Sequence, residues 1–200
     1  MDCNVKIQSH HNQNFTDIVG SAVSIKPFNC ENIYSKEYLG WLRDHEVLLT
    51  LNLTSYLQKP IDVGEVEQYC HALLESANDM FCAIHERQTD AFIGTCKIGG
   101  IDEFSGVADI GIMIGEKRLW GKGIGSETVS LLSEFAFNEM KLRKLTGGAM
   151  SSNKPMLNIF DRLGFVQEGV RREQDRVGSV FVDHILLGCF KDEFTPLLKY

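Results

Sequence analysis

Three short apolar runs constrain the fold more than anything else in the chain: Met80 to His85, Ala91 to Ile98 and Val107 to Ile114. They are separated only by Arg87-Gln88-Thr89-Asp90 and Gly99-Gly100-Ile101-Asp102-Glu103. A parallel pair needs a connection of about a dozen residues or more, usually a helix. Connections this short make an antiparallel meander the economical reading.

Helical and strand periods flank the meander. Val23, Ile25 and Pro27 alternate like a strand, and Asn29 then caps a helix carrying Tyr34, Tyr38, Leu39 and Trp41 that ends near His45. Val47 to Pro60 shows no pattern. Asp62 and Glu65 form a D-x-x-E capping box opening a helix whose buried face holds Val66, Tyr69, Leu73 and Leu74. Ile124 to Met140 sets Thr128, Leu131, Leu132, Phe135 and Ala136 on one helical face. Lys144 to Met150 reads as a buried strand. Pro155 stands near the start of a helix through Leu157, Ile159, Phe160 and Leu163, and Gly164 stops it. Phe165 to Arg171 and Ser179 to Cys189 read as closing strands. No repeat or Pro-rich linker divides the chain, so residues 21–200 form one mixed α/β (α+β) unit. Residues 1–20, with His10 and His11 at their centre, are polar and aperiodic and read as a loose leader.

Composition narrows the function. Of 200 residues, 44% are apolar and 24% charged, which excludes disorder throughout. A net charge of −7 argues against a nucleic-acid backbone or an anionic bilayer as main partner. The six cysteines show no CxxC pair and no His at zinc spacing, so no metal site is expected and they read as buried thiols. Neither a signal-peptide pattern nor a membrane span is legible, and the expected location is the cytoplasm.

The most informative segment is Trp120-Gly121-Lys122-Gly123-Ile124-Gly125-Ser126. It joins a strand ending near Ile114 to the long helix beginning near Ile124. Glycines let a ligand approach the backbone, and the unpaired N–H groups of a helix start form an anion site. A phosphate is the natural guest. A Walker A loop needs four residues between its first Gly and the Gly-Lys-[Ser/Thr] end, but here five separate Gly115 from Gly121, and Gly123 follows Lys122. A dinucleotide fingerprint needs G-x-G-x-x-G in a parallel unit, whereas Ser126 stands at the last position. Both readings fail, leaving a phosphate turn of another kind or a plain connector.

At these residues the chain resembles the GCN5-related N-acetyltransferases, in the ribosomal-protein-alanine acetyltransferase-like branch that includes spermidine acetyltransferases. The signature Gln/Arg-x-x-Gly-x-Gly/Ala maps onto Trp120-x-x-Gly123-x-Gly125. Asn153 leads to Leu163-Gly164-Phe165, and a late strand bears Val182-Asp183-His184. The resemblance implies a mostly antiparallel mixed sheet with helices on both faces and a splayed parallel strand pair, the strands ending near Gly115 and Met150. Acetyl-CoA would lie in that opening. Its pyrophosphate would rest on the amides from Lys122 to Ser126, and its pantetheine would pair with Met113, Ile114 and Gly115. The same edge would stabilise the oxyanion, and Asn153 would touch the pantetheine arm.

The family often places a Tyr acid where this chain has Phe160, which cannot donate a proton. Asp109 is the first candidate for the base, on the same strand face as Met113. The plain alternative for Asp109 is an ion-paired strand residue, and His45 and His184 are other imidazole candidates. The expected acceptor is a small polar molecule with a primary amine, and the Tyr38 to Tyr56 segment also looks similar to enzymes acting on nucleotide-linked amino sugars. Protein N-termini and polyamines stay open, as do a homodimer and a non-catalytic CoA-binding domain.

Overall fold

The computed structural model describes residues 15–51, 59 and 61–197. Eight strands form one sheet: β1 (Ile18–Val19), β2 (Val23–Pro27), β3 (Met80–Glu86), β4 (Phe92–Asp102), β5 (Val107–Ile114), β6 (Lys144–Met150), β7 (Val166–Val177) and β8 (Val180–Phe190). Their order is β1-β2-β3-β4-β5-β6-β8-β7. The central runs are apolar without interruption because they are covered on both faces. Met80, Cys82 and Ile84 of β3 enter one core, while Phe81 and Ala83 enter another.

Two layers of helices supply that cover. On the first side lie α5 (Ile124–Asn138) and α6 (Lys154–Arg162), whose Leu132, Phe137 and Phe160 pack with Met80, Ile98 and Ile110. On the other lie α1 (Cys30–Ile33), α2 (Lys36–Trp41), α3 (His45–Thr50) and α4 (Val63–Glu75), whose Tyr38, Trp41, Val47 and Leu74 surround Phe28, Phe81 and Met113.

The meander is present, with β3, β4 and β5 antiparallel. The β5–β6 pair is parallel, and it is short. Its partners are Val107↔Lys144, Ala108↔Leu145 and Asp109↔Thr146. From Ile110 and Gly147 onward the two strands have no register with each other, although β5 stays paired with β4 and β6 with β8. The sheet therefore opens along the line where its direction changes.

Several expectations shift. The single helix expected from Asn29 to near His45 is two short ones, because Ser35 caps a new start, and Asp44 caps a third helix that runs into the stretch without a pattern. Ser35 Oγ accepts from Tyr38 N at 3.1 Å, and Asp44 Oδ1 accepts from Glu46 N at 2.9 Å. Asp62 does cap α4, accepting from Gly64 N at 2.8 Å. Glu65, however, pairs with Lys59 Nζ at 3.0 Å, and Tyr69 is half exposed while Cys70 takes the buried position. Gly99 to Asp102 continue β4 rather than turning, and the turn comes at 103–106. The leader expectation falls mainly on residues 1–14, outside the described residues. Phe15 to Gly20 depart from it: Phe15 stacks edge-on against Phe135 at 5.5 Å, and Ile18–Val19 pairs with β2. Cys70, Cys82, Cys96 and Cys189 are buried free thiols, but Cys30 is disulfide-bonded, which corrects the reading of every cysteine as a thiol.

Candidate active site

A cleft of about 560 Å³ occupies the opening between β5 and β6. Gly121 and Gly123 carry φ of +73° and +84°, a region that glycine enters without strain, and so the chain turns from the sheet into α5. Gly123 is the N-cap of α5 and has no side chain to cap it. The acid in the first turn, Glu127, is drawn away: its carboxylate accepts from Ser21 N and from Ala22 N, the latter at 3.0 Å. The positive end of α5 is thus left facing the cleft.

Nine expected residues line this cleft: Met113, Ile114, Trp120, Gly121, Gly123, Ile124, Gly125, Ser126 and Asn153. Lys122 and Gly115 are outside its wall. A Cβ on Gly115 would meet the Trp41 ring at 2.0 Å, so this glycine serves the packing of α2 against β5. Gly115 also donates its N–H to Ile93 O at 3.0 Å, and the Met113 carbonyl lies close against Gly94 of β4. By alternation, Ile112 and Ile114 turn their N–H and C=O groups toward the opening, where the Ile114 carbonyl already accepts from the Trp120 indole. The available strand edge is therefore set one residue out of step with the expected Met113 and Gly115. Asn153 caps α6, accepting from Met156 N at 3.2 Å, and donates through Nδ2 to Thr50 O at 2.9 Å, so it ties α6 to the end of α3.

A second cavity, of about 350 Å³, lies on the α4 side. Tyr38, Tyr69, Phe81, Thr95 and Lys97 line it, and it shares Leu51 and Gly111 to Met113 with the cleft. The two spaces meet at the middle of β5.

Asp109 lies on the sheet face that carries this second cavity but lines neither cavity. The register partners Asp109↔Thr146 and Met150↔His184 place Thr146, Gly148, Met150 and His184 on the same face. Thr146 Oγ1 donates to Asp109 Oδ2 at 3.0 Å. Asp109 keeps an open path to solvent, yet protein crowds its carboxyl enough for desolvation to raise its pKa above the ordinary Asp value. The Thr146 hydrogen bond and the charges of Lys97 and His184 pull the other way. His184 forms part of the cleft wall, with Nδ1 2.7 Å from Asp175 Oδ2. His45 is exposed and lines neither cavity. Phe160 is fully buried against Phe165, with its ring tip beneath Gly147.

Asp175 was not legible in the sequence as the partner of His184. The adjacent Asp183 drew attention instead, but its Oδ1 accepts from Glu173 N at 2.8 Å. Among the described residues, no group of three or more His, Cys, Asp or Glu is placed to hold a metal, and no helix is long and apolar enough to cross a membrane.

Comparison with known proteins agrees with this geometry. Residues 34–166 match the acetyltransferase (GNAT) domain family. The N-acetyltransferase p20 of Bacillus licheniformis is 28% identical over 76% of this chain and 84% of its own length. The human alpha/beta-tubulin-N-acetyltransferase 9 is 25% identical, covering 78% of this chain and 77% of that one. Among solved structures, the spermidine N-acetyltransferase from Vibrio cholerae, in complex with CoA and spermine, superposes with a TM-score of 0.74. It covers 87% of this chain and 98% of that one at 14% identity, and so speaks for the fold. The chain belongs to the GNAT acetyltransferase family and is an acyltransferase.

Proposed function

We propose that the protein transfers the acetyl group of acetyl-CoA to the primary amine of a small polar molecule. The observation that carries this reading is the junction at Gly111 to Met113, where a cleft ending on an uncapped helix N-terminus meets a separate pocket on the other face of the sheet. The first space suits a long donor with a pyrophosphate, held on the amides around Gly123 to Ser126. The second suits an acceptor.

In this reading pantetheine extends the sheet along the Ile112 and Ile114 edge, where an N–H can also stabilise the tetrahedral oxyanion. Asp109 takes the proton of the acceptor ammonium, directly or through water, and the neutral amine attacks the thioester without a covalent enzyme intermediate. Partial desolvation suits Asp109 to the task, because a carboxylate poised above its ordinary range is a stronger base.

Tyr38, Tyr69 and Phe81 with Lys97 favour an acceptor that combines a flat ring with an anionic group. A nucleotide-linked amino sugar meets that description better than a polyamine, for which Lys97 is repulsive. Thiol release from acetyl-CoA in the presence of amino sugars, nucleotide-linked amino sugars, polyamines and short peptides tests both parts. Turnover confined to polyamines or peptides would overturn the acceptor assignment.

A further inference from the structure

Asp175 and His184 face each other across the β7–β8 hairpin. Asp175 is only 5% exposed, and a carboxylate buried that deeply needs a hydrogen-bond donor. His184 Nδ1, at 2.7 Å, supplies it. With Nδ1 committed, Nε2 is the ring's working atom. It lies against Gly148 of β6, where an added Cβ would sit 2.5 Å away. The ring has its place because residue 148 has no side chain, and His184, Gly148 and Met150 together form a stretch of cleft wall.

Asp109 shares this sheet face but lies outside the cleft wall. Asp109 is in the wall of neither space, bonded to Thr146 Oγ1 at 3.0 Å, whereas His184 stands in the cleft wall itself. The charged groups around the imidazole are Asp175 and Arg171 on β7, the latter the register partner of His184, Asp109 on β5 and Arg162 of α6 across the cleft. From Leu145 to Met150, β6 contributes none.

Building on the acetyl-CoA reading, we infer that His184, positioned by Asp175, is the acid that protonates the departing CoA sulfur. Phe160 cannot do so, having no proton to give and being wholly buried. The acceptor nitrogen bonds to the thioester carbon, the carbon–sulfur bond breaks, and its electron pair remains on sulfur. Sulfur receives the proton from His184 Nε2; Asp109, having passed the first, ammonium proton to solvent, takes the second proton that nitrogen loses as the amide forms. Passage of that proton from Asp109 to the imidazole, directly or through water, restores both groups. Asp175 holds the ring at Nδ1 throughout.

The test requires no acceptor. CoA is bound to the protein and its thiolate is titrated by ultraviolet absorbance, with affinity measured by calorimetry. An imidazole placed to exchange a proton with the sulfur also stabilises the thiolate, so in the wild type the thiolate is expected to form about 1 pH unit or more lower than in free CoA. His184→Asn keeps an N–H for Asp175 but has nothing at Nε2, and is expected to return the titration to that of free CoA with affinity changed by less than about threefold. Asp175→Asn moves it the same way. Gly148→Ala changes neither Asp175 nor His184 but sets a methyl 2.5 Å from the present Nε2 position, so the ring must give way; it is expected to move the titration likewise. Bound CoA that titrates like free CoA in the wild type, or a lowered titration that survives His184→Asn, overturns the acid role alone. Absence of CoA binding to the wild type overturns the acetyl-CoA reading with it.

Discussion

The indole N–H of Trp120 donates to the carbonyl oxygen of Ile114 at 2.8 Å, which fixes the start of the glycine turn to the last residue of β5. The opening of the sheet and the N-terminus of α5 are thereby held in one geometry. Trp120→Phe keeps a ring but loses this bond, whose net worth is about 0.5–1.5 kcal/mol. Acetyl-CoA affinity measured by calorimetry is expected to fall about three- to tenfold. Unchanged affinity would show that the turn holds its shape without the tryptophan.

Gly123 separates backbone conformation from ligand access. Its φ of +84° penalises most side chains, yet no atom lies within 4 Å of where a Cβ would stand. Asn tolerates the left-handed region, so Gly123→Asn is expected to melt near the wild-type temperature. It nevertheless places a side chain where the proposed pyrophosphate would approach. A loss of acetyl-CoA affinity of about tenfold, or 1.4 kcal/mol, is expected. Wild-type affinity in a folded variant would move the pyrophosphate elsewhere.

At Gly115 the constraint is packing. A methyl group there would enter the Trp41 ring at 2.0 Å, between β5 and α2. Gly115→Ala is expected to lower stability by about 1–3 kcal/mol in denaturant titration, the usual cost of overpacking. A melting curve identical to the wild type would mean that α2 moves freely on the sheet.

Asp109 combines a functional and a stability expectation. As a base it works only when ionised, and desolvation raises its pKa. The acid limb of the rate profile should therefore lie above the ordinary Asp value of about 3.9. Asp109→Asn is expected to remove that limb and cut turnover about 10²-fold, with acetyl-CoA affinity nearly unchanged. The same raised pKa means that the ionised carboxylate opposes folding, a penalty that accumulates as pH rises from the unfolded value through the folded one. At neutral pH the variant should melt no lower than the wild type. Retention of full turnover across the pH range would refute the base assignment.

Much of this fold is legible in the sequence where burial is two-sided or a period is long. β6 has the bounds expected of it, Lys144 to Met150, and α5 begins at Ile124 as its spacing requires. Local hydrogen bonding hid the rest. Ser35 interrupts the expected helix and Asp44 opens another at its end, each by capping backbone N–H groups with its side chain. The glycines at 99 and 100 suggested a turn, yet β4 absorbs them through a register irregularity between Gly99 and Asp102. The glycine turn was legible because its glycines bridge a strand and a helix. Asp175 was not, because it reaches His184 across a hairpin whose register slips between Arg171 and Asp175.

The central claim is that acetyl leaves CoA for an amine on this protein. Acetyl-CoA is incubated with the purified chain and nucleotide-linked amino sugars, amino sugars, polyamines, amino acids or short peptides, and free thiol is followed with time. The account predicts thiol release that needs both the protein and an amine, saturates with each, and matches the acetylated amine mole for mole. Saturable CoA binding with no amine-dependent thiol release across all these acceptor classes would contradict it and leave a CoA-binding domain in place of the enzyme.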